Sequence, residues 1–294
     1  MRGIVMAGGN GSRLWPVTMA TNKHLLNIYD KPLIHYPIAT LMAAGIREML
    51  LITKQEDIES FTKLLGNGGD LGLKISYKVQ DSPGGIAQAF TLGEEFIGNQ
   101  NVALILGDNI FHGSGLGRKL SIYNNLKGAQ IFAYPVSDPG RYGVVEFDSN
   151  SGKVLSIEEK PLIPKSTYAI PGLYFYDNRV CSIAKDLKPS NRGELEITDI
   201  NKVYLESNLL CVEVLPRGTA WLDTGTVSSL HDASTYIRIL EERQGRKVAC
   251  LEELAWRLGW ISNEQLMLNS KKYANSSYGV YLMSLLNQKE LRDD

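Results

Sequence analysis

Three groups of residues in this chain could together handle a polyanion. The first is "AGGNGSRLWP", residues 7–16, directly behind a short apolar run. A glycine turn at the end of a strand presents backbone N–H groups to phosphate oxygens, and a nearby cation offsets the charge. Arg13 is that cation. A P-loop needs Lys and then Ser or Thr where this chain has Arg13-Leu14, and a dinucleotide fingerprint needs a small residue in place of Leu14. Taken alone, the loop fits a structural turn as well as a phosphate cradle. The second group is "NKHLLNIYDKP" (22–32), which sets Lys23 ten residues after Arg13. The third is a pair of aspartates, Asp108 at the carboxyl end of "VALILGD" and Asp223 in "AWLDTGT". Mg²⁺ takes one or two carboxylates plus substrate phosphate oxygens, so two Asp suffice if the fold brings them together.

Such residues meet only if strands carry them to one edge of a sheet. Short runs rich in Val, Ile and Leu alternate with stretches of helical length, the pattern of parallel strands joined by crossover helices. The pattern predicts strands at 3–7, 48–53, 74–79 and 102–108, with helices over 32–45, about 56–65 and 85–96 between them. Ligands of an open parallel sheet bind at the carboxyl ends of its strands, where the glycine loop and Asp108 fall. From about Gln130 the runs "QIFAYPV", "YGVVEF", "KVLSIEEKP" and "AIPGLYFYD" are separated by turn residues, which predicts a mixed extension of the sheet. Beyond "AWLDTGT" helical periodicity runs to the end of the chain. The expected class is α/β: a Rossmann-like, mixed but mostly parallel sheet flanked by helices over 1–226, then a helical C-terminal segment over 227–294.

Composition excludes other partners. With 31 basic and 32 acidic side chains the net charge is −1, so bulk electrostatics favour neither nucleic acid nor an anionic membrane surface. Cys181, Cys211 and Cys250 are odd in number and widely spaced, which fits neither a disulfide framework nor a zinc site. The chain opens on a strand rather than a leader peptide, and no apolar run reaches the roughly 20 residues of a membrane span. A cytoplasmic protein is expected.

In their order along the chain, "AGGNGSRLWPVT", "NKHLLNIYDKP", "VQDSPGGIAQAF", "LGDNIF", "RYGVVEFD", "EEKP", "GLYFYDN", "RGELEITDIN" and "AWLDTGT" resemble the glucose-1-phosphate thymidylyltransferase family of sugar nucleotidylyltransferases. The resemblance spans essentially the whole chain. It implies Mg²⁺-dependent transfer of a thymidylyl group from dTTP to α-D-glucose 1-phosphate, giving dTDP-glucose and pyrophosphate, at the head of dTDP-deoxysugar synthesis for a surface polysaccharide or glycosylated product. By the same resemblance Gly8, Gly11, Ser12 and Arg13 wrap the triphosphate, and Lys23 contacts the phosphates. Gln80 and the backbone of Gly85 read the base, Pro83 shapes its pocket, and Asn109 fixes nucleotide or sugar hydroxyls. Asp108 and Asp223 hold the metal. Gly143, Glu159 and Ile170 line the sugar pocket, Tyr142, Tyr174 and Trp221 wall it, and Lys160 grips the sugar phosphate. The C-terminal helices resemble a segment that builds a homotetramer interface and an effector site for a dTDP-sugar, with Arg217, Glu253 and Arg257 at matching positions.

The chain departs from the family pattern in three places. Asn22, His24 and Asn27 stand in the Lys23 segment, with His24 where a Gln beside the phosphates is usual. An imidazole can donate to phosphate, and one titrating near neutral pH would make activity pH-sensitive. Pro171 replaces Thr before "GLYFYD", which bears on sugar preference, and Gly84 replaces Asp, which loosens the turn above the base. Two other readings stay open: the same chemistry with UTP or another sugar 1-phosphate, and a regulatory paralogue that binds nucleotide-sugar without turnover. A metal-dependent glycosyltransferase is disfavoured, since "GDN" lacks the second acid of a D-x-D pair.

Overall fold

The computed structural model describes residues 1–287, so the helix expected to continue over 288–294 lies, for that stretch, outside the described residues. Strand β1 (Arg2–Met6) alternates its side chains between two faces, Ile4 entering one apolar core and Val5 the other. After the glycine loop, a small hairpin of β2 (Asn27–Ile28) and β3 (Lys31–Pro32) precedes α1 (His35–Ala43). This helix begins later than its sequence pattern predicts, because the N–H groups of Leu33 and Ile34 are bound by the carbonyls of Leu26 and His24. Next come β4 (Glu48–Thr53), α2 (Ile58–Leu65) and β5 (Lys74–Val79). The helix expected over 85–96 is two shorter pieces, α3 (Gln88–Leu92) and α4 (Glu94–Ile97), meeting at Gly93. Residue 85 cannot be helical, since Gly85 has φ +96° and lies against the backbone of Leu195.

Strands β6 (Val102–Leu106) and β7 (Asn109–His112) flank Gly107-Asp108, and α5 (Leu116–Ser121) follows. The strand-rich middle supplies β8 (Ala129–Pro135), β9 (Gly143–Phe147), β10 (Val154–Glu159), β11 (Tyr168–Ala169) and β12 (Leu173–Tyr176). Helices α6 (Val180–Asp186) and α7 (Ile197–Glu206) lead into β13 (Leu210–Val214) and β14 (Ala220–Asp223). One ten-stranded sheet results, in the order β10-β9-β11-β8-β12-β6-β1-β4-β5 with β13 beside β8. Its β6-β1-β4-β5 half is parallel, and β12 joins β6 antiparallel, where the crossover pattern of the sequence ends. The short β14 leaves this sheet to pair antiparallel with β7, which sets Asp223 opposite Asn109.

Helix α8 (Val227–Gln244) starts at Thr226, whose hydroxyl and that of Ser229 cap each other's backbone N–H, and stops at Gly245 with φ +65°. Helices α9 (Leu251–Arg257), α10 (Asn263–Lys272) and α11 (Ser277–Asn287) close a small core around Cys250, Leu266, Leu282 and Leu285. A buried charge cluster ties the C-terminal part to the β2–β3 hairpin. Lys31 Nζ donates to Glu241 Oε1 at 2.7 Å and to Asp30, and Lys247 bridges Asp30 and Glu241. All three cysteines are free, and no helix among the described residues is long and apolar enough to cross a membrane.

Candidate active site

The carboxyl ends of β1 and β6 open onto a cavity of about 220 Å³ that collects residues from stretches far apart along the chain. Arg13, Asp108, Asn109 and Asp223 line one side. Tyr142, Gly143, Glu159, Lys160, Ile170, Tyr174 and Trp221 line another. Asn109 organises the junction. Its Oδ1 accepts from Trp221 Nε1 at 2.6 Å and from the Gly172 N–H at 3.1 Å, while its Nδ2 donates to Asp108 Oδ1 at 2.9 Å. Residue 172 must be glycine at this approach, because a Cβ would lie 2.6 Å from the Leu106 side chain. Pro171 keeps its carbonyl in use, accepting from Leu173 N at 2.8 Å.

The two aspartates meet, and their environments differ. Burial opposes charge on Asp108, but the Lys23 ammonium bonded to it, with the Asn109 amide, holds its carboxyl well below the usual carboxylate range. The Asp223 carboxyl is pushed up, first by burial and then by the negative charge of Asp108, only partly offset by Arg13, Lys23 and Arg141. The guanidinium of Arg13 packs over Gly225 beside Asp223, where a Cβ would lie 2.8 Å from Arg13 Nη2. Two adjacent acceptor-only carboxylates, one of them only partly offset by cations, fit a hard divalent cation sharing phosphate oxygens. Among the described residues no group of three or more potential metal ligands occurs, so substrate oxygens and water would complete the coordination.

The glycine loop borders this cavity. Gly11 takes φ +62°, and its carbonyl accepts from Thr18 Oγ1 at 2.7 Å, which fixes the turn ahead of Ser12 and Arg13. Gly8 faces the Gln80 carboxamide so closely that a Cβ would collide with Gln80 Oε1. Pro83 is exposed in the segment before Gly85, whose backbone is strapped to α7's approach by Leu195 N donating to Gly84 O at 2.8 Å. Lys160 has φ +44°, uncommon outside glycine, and its N–H donates to the Tyr142 carbonyl at 3.0 Å. That backbone turn puts its ammonium at the cavity mouth, 3.7 Å from Glu159.

His24 is placed differently from its sequence expectation. It is 2% exposed, its Nδ1 lies 2.7 Å from Asn22 Oδ1, and its Cδ2 edge packs where a Cβ on Gly107 would be. Burial first and the Lys23 charge second push its pKa down to about 3, so the imidazole is neutral throughout the neutral range. The expected pH-sensitive charge next to the phosphates is therefore corrected. His24 props Gly107 and, through Asn22 Nδ2 donating to the Ala7 carbonyl at 3.0 Å, the base of the glycine loop.

A family sequence model described as nucleotidyl transferase matches residues 2–238. A glucose-1-phosphate thymidylyltransferase of Mycobacterium tuberculosis H37Rv is 57% identical over 98% of this chain and 100% of its own length, and one of Neisseria meningitidis is 54% identical with the same coverage. A Bacillus anthracis crystal structure, described as a candidate glucose-1-phosphate thymidylyltransferase in complex with sucrose, superposes with a TM-score of 0.75 at 43% identity, covering 81% of this chain and 95% of that one. A UDP-glucose pyrophosphorylase bound to UDP-glucose, 24% identical with a TM-score of 0.71, shares the fold. The chain belongs to the nucleotidyl transferase family, among the glucose-1-phosphate thymidylyltransferases. Members of this family generally need a divalent metal.

Several residues that carry no conspicuous signal in the sequence also line the cavity. "RGELEITDIN" reads as a helix start with solvated charges, and α7 does start there, yet Thr198 and Asn201 are buried and line the cavity. Thr198 Oγ1 donates to Glu159 Oε2 at 2.6 Å, and Arg192 joins Glu196 to Glu159 across the rim. The signal was two small polar residues three apart on one helical face. Arg141 also lines the cavity and was not singled out. A second cavity of about 340 Å³ lies between α1, α5, β7 and the segment around α9. Glu253 and Arg257 line it and pair at 2.9 Å, whereas Arg217 sits in an exposed turn and is not among its lining residues.

Proposed function

We propose that this protein is a Mg²⁺-dependent glucose-1-phosphate thymidylyltransferase that works by a single in-line displacement. The observation that carries the reading is one cavity in which a phosphate-handling loop, two carboxylates and a sugar-sized polar pocket adjoin. An oxygen of the sugar phosphate bonds to the α-phosphorus of dTTP as the bond to the bridging oxygen breaks, and pyrophosphate leaves with the electron pair. The nucleophile is already an anion, so no protein base is needed. Alignment and charge neutralisation are what remain.

Arg13 offers a bidentate guanidinium to the phosphate oxygens, and the loop at Gly8, Gly11 and Ser12 offers backbone N–H groups. Lys23 exchanges its contact with Asp108 for the triphosphate, and Lys160 holds the sugar phosphate at the mouth. Glu159, oriented by Thr198, accepts from sugar hydroxyls, and Tyr142 stacks edge-on against Trp221 at 5.0 Å to wall the ring. Mg²⁺ held by Asp108 and Asp223 would supply charge neutralisation and polarisation at the phosphates. Gln80, beside Gly8 and buried, with the Gly85 backbone, reads the base edge. Thymine and uracil share the imide edge, so UTP is the rival nucleotide.

The second cavity, with Glu253 and Arg257, is proposed as a dTDP-sugar effector site in a cytoplasmic homotetramer. Pyrophosphate release with Mg²⁺ and glucose 1-phosphate tests the main reading across dTTP, UTP, ATP, CTP and GTP. Release is expected with dTTP well above the others. No release with any of them, from protein that binds dTDP-glucose, would replace catalysis by a binding role.

A further inference from the structure

We propose that Gln88 is a specificity-determining positioning residue: it fixes which way round the Gln80 carboxamide faces the base, and Gly84 is what allows it to do so. The inference rests on the reading that Gln80 contacts the base edge. The orientation follows from the hydrogen bonds themselves. A backbone N–H only donates, so the Gln88 atom 3.0 Å from Gly84 N is its oxygen, Oε1. That same oxygen lies 2.7 Å from the end of Gln80, so the Gln80 group there is the donor, Nε2. Turning Gln88 over would set its NH₂ against the Gly84 N–H, and turning Gln80 over would set two carbonyl oxygens together. The chain from Gly84 N through Gln88 Oε1 to Gln80 Nε2 therefore has one sense, and Gln80 Oε1 is left on the side of Gly8.

Gly84 is required for this lock. A Cβ at residue 84 would lie 2.8 Å from Gln88 Oε1 and 2.9 Å from its Cδ. The Gln88 carboxamide is the free end of a side chain, so it would swing away rather than deform the turn, and both hydrogen bonds would go with it. The family resemblance leads one to expect Asp at this position, so the lock comes with this chain's departure from it. Instead of loosening the turn, Gly84 lets its own N–H be tied down.

The consequence is chemical. Gln80 retains one N–H and a carbonyl oxygen for the base. The imide edge of thymine or uracil presents a carbonyl beside an N–H, whereas cytosine presents an NH₂ beside a ring nitrogen lone pair, the opposite order. A Gln80 held one way pairs with the imide edge and leaves cytosine with donor facing donor and acceptor facing acceptor. A Gln80 free to turn over accommodates either.

The test compares kcat/KM for dTTP and dCTP, with Mg²⁺ and glucose 1-phosphate, in the wild type and in Gln88→Met, Gly84→Ala, Gln88→Glu and Gln80→Ala. Taking both substrates on the same sample makes the ratio independent of the fraction folded. Gln88→Met and Gly84→Ala are expected to lower the dTTP preference about tenfold or more, since a reversible amide no longer penalises the wrong edge. Gln88→Glu keeps an acceptor for both donors and should hold the ratio within roughly threefold of wild type. An unchanged ratio in Gln88→Met with a lowered one in Gln80→Ala would overturn the lock while leaving Gln80 as base reader. A ratio unmoved by both would show that the base is read elsewhere and overturn the inference through its premise. Failure of Gln88→Glu to preserve what Gln88→Met loses would reduce Gln88 to packing.

Discussion

Two buried charge clusters set carboxylates against cations and differ in how completely the charges pair. Around the β2–β3 hairpin, Asp30, Lys31, Glu241 and Lys247 place two cations against two anions, and Glu241 Oε1 accepts from both Lys31 Nζ and the Val248 N–H. Nothing is left over, and the cluster binds the hairpin to the C-terminal helices. At the carboxyl end of β6, Lys23 is committed to Asp108, and Asp223 faces that pair with a raised carboxyl pKa. The first cluster is complete without a ligand; in the second, Arg13, Lys23 and Arg141 only partly offset the burial of Asp223 and its repulsion by Asp108, which a divalent cation would relieve. Complete pairing marks structure here, and an incompletely offset carboxylate marks the candidate site.

The largest expected effect breaks the second cluster. Asp108→Asn and Asp223→Asn should each lower pyrophosphate release about 100-fold or more, as loss of a metal-holding carboxylate does. The same two substitutions should move stability in opposite directions. The Asp108 carboxyl is held below its unfolded value, so its charge stabilises the fold above the unfolded pKa, and that stability is lost as pH falls. The Asp223 carboxyl is raised, so ionising it costs stability as pH rises. In melts at neutral pH without metal or nucleotide, Asp223→Asn should melt above wild type and Asp108→Asn below it. Shifts of equal sign would dissolve the contrast between the two carboxylates.

Breaking the balanced cluster should cost stability and not chemistry. Lys31→Met leaves buried Glu241 with Lys247 in place of two ammonium partners and is expected to cost about 3 kcal/mol in urea unfolding, with turnover per folded molecule unchanged. Adding Glu241→Leu should restore a large part of the loss, because the stranded charge is removed as well. Failure of the second substitution to recover anything would mean that packing, not charge, is what Lys31 supplies.

A smaller effect is expected from the buried imidazoles. Burial, with the charge of Lys23 or Lys31, pushes His24 down to about 3 and His35 to about 4 from the ordinary 6.5. The folded state therefore binds fewer protons, and their contribution is whole above 6.5 and falls as pH drops toward those values, by up to about 1.4 kcal/mol per pH unit for each histidine. Urea midpoints at pH 7 and pH 5 measure the slope, and His24→Gln should reduce it. The turnover profiles of His24→Gln and wild type should overlay around neutral pH, since the imidazole is uncharged there. A divergence would place a titrating His24 against the substrate.

The amino-acid pattern alone carried the βαβ rhythm, and strands β1, β4, β5 and β6 lie within a residue or two of their hydrophobic runs. Long apolar runs with turn residues at both ends leave a chain few ways to bury them. Helix ends were less legible: α1 begins late because distant carbonyls claim its first N–H groups, the 85–96 stretch becomes helical only at Gln88 because the Leu195 backbone claims Gly85 and Ala87, and it breaks again at Gly93. Arg13, Lys23 and Asp108 could be singled out because charge beside a glycine loop or at a strand end is conspicuous, whereas Glu159 and Lys160 came only with the family resemblance. Thr198, Asn201, Arg141 and Gln88 could not, since each is an ordinary polar residue until a neighbour far along the chain meets it.

The sequence by itself determined the strands, the glycine loop and the family, all of which are encoded in local periodicity and short motifs. Tertiary structure alone decided that Asp223 stands opposite Asn109, that His24 is buried and neutral, and that the Gly84 N–H orients a carboxamide through Gln88. Those depend on distances between groups far apart along the chain and on how much water reaches them, and neither is written in the order of residues.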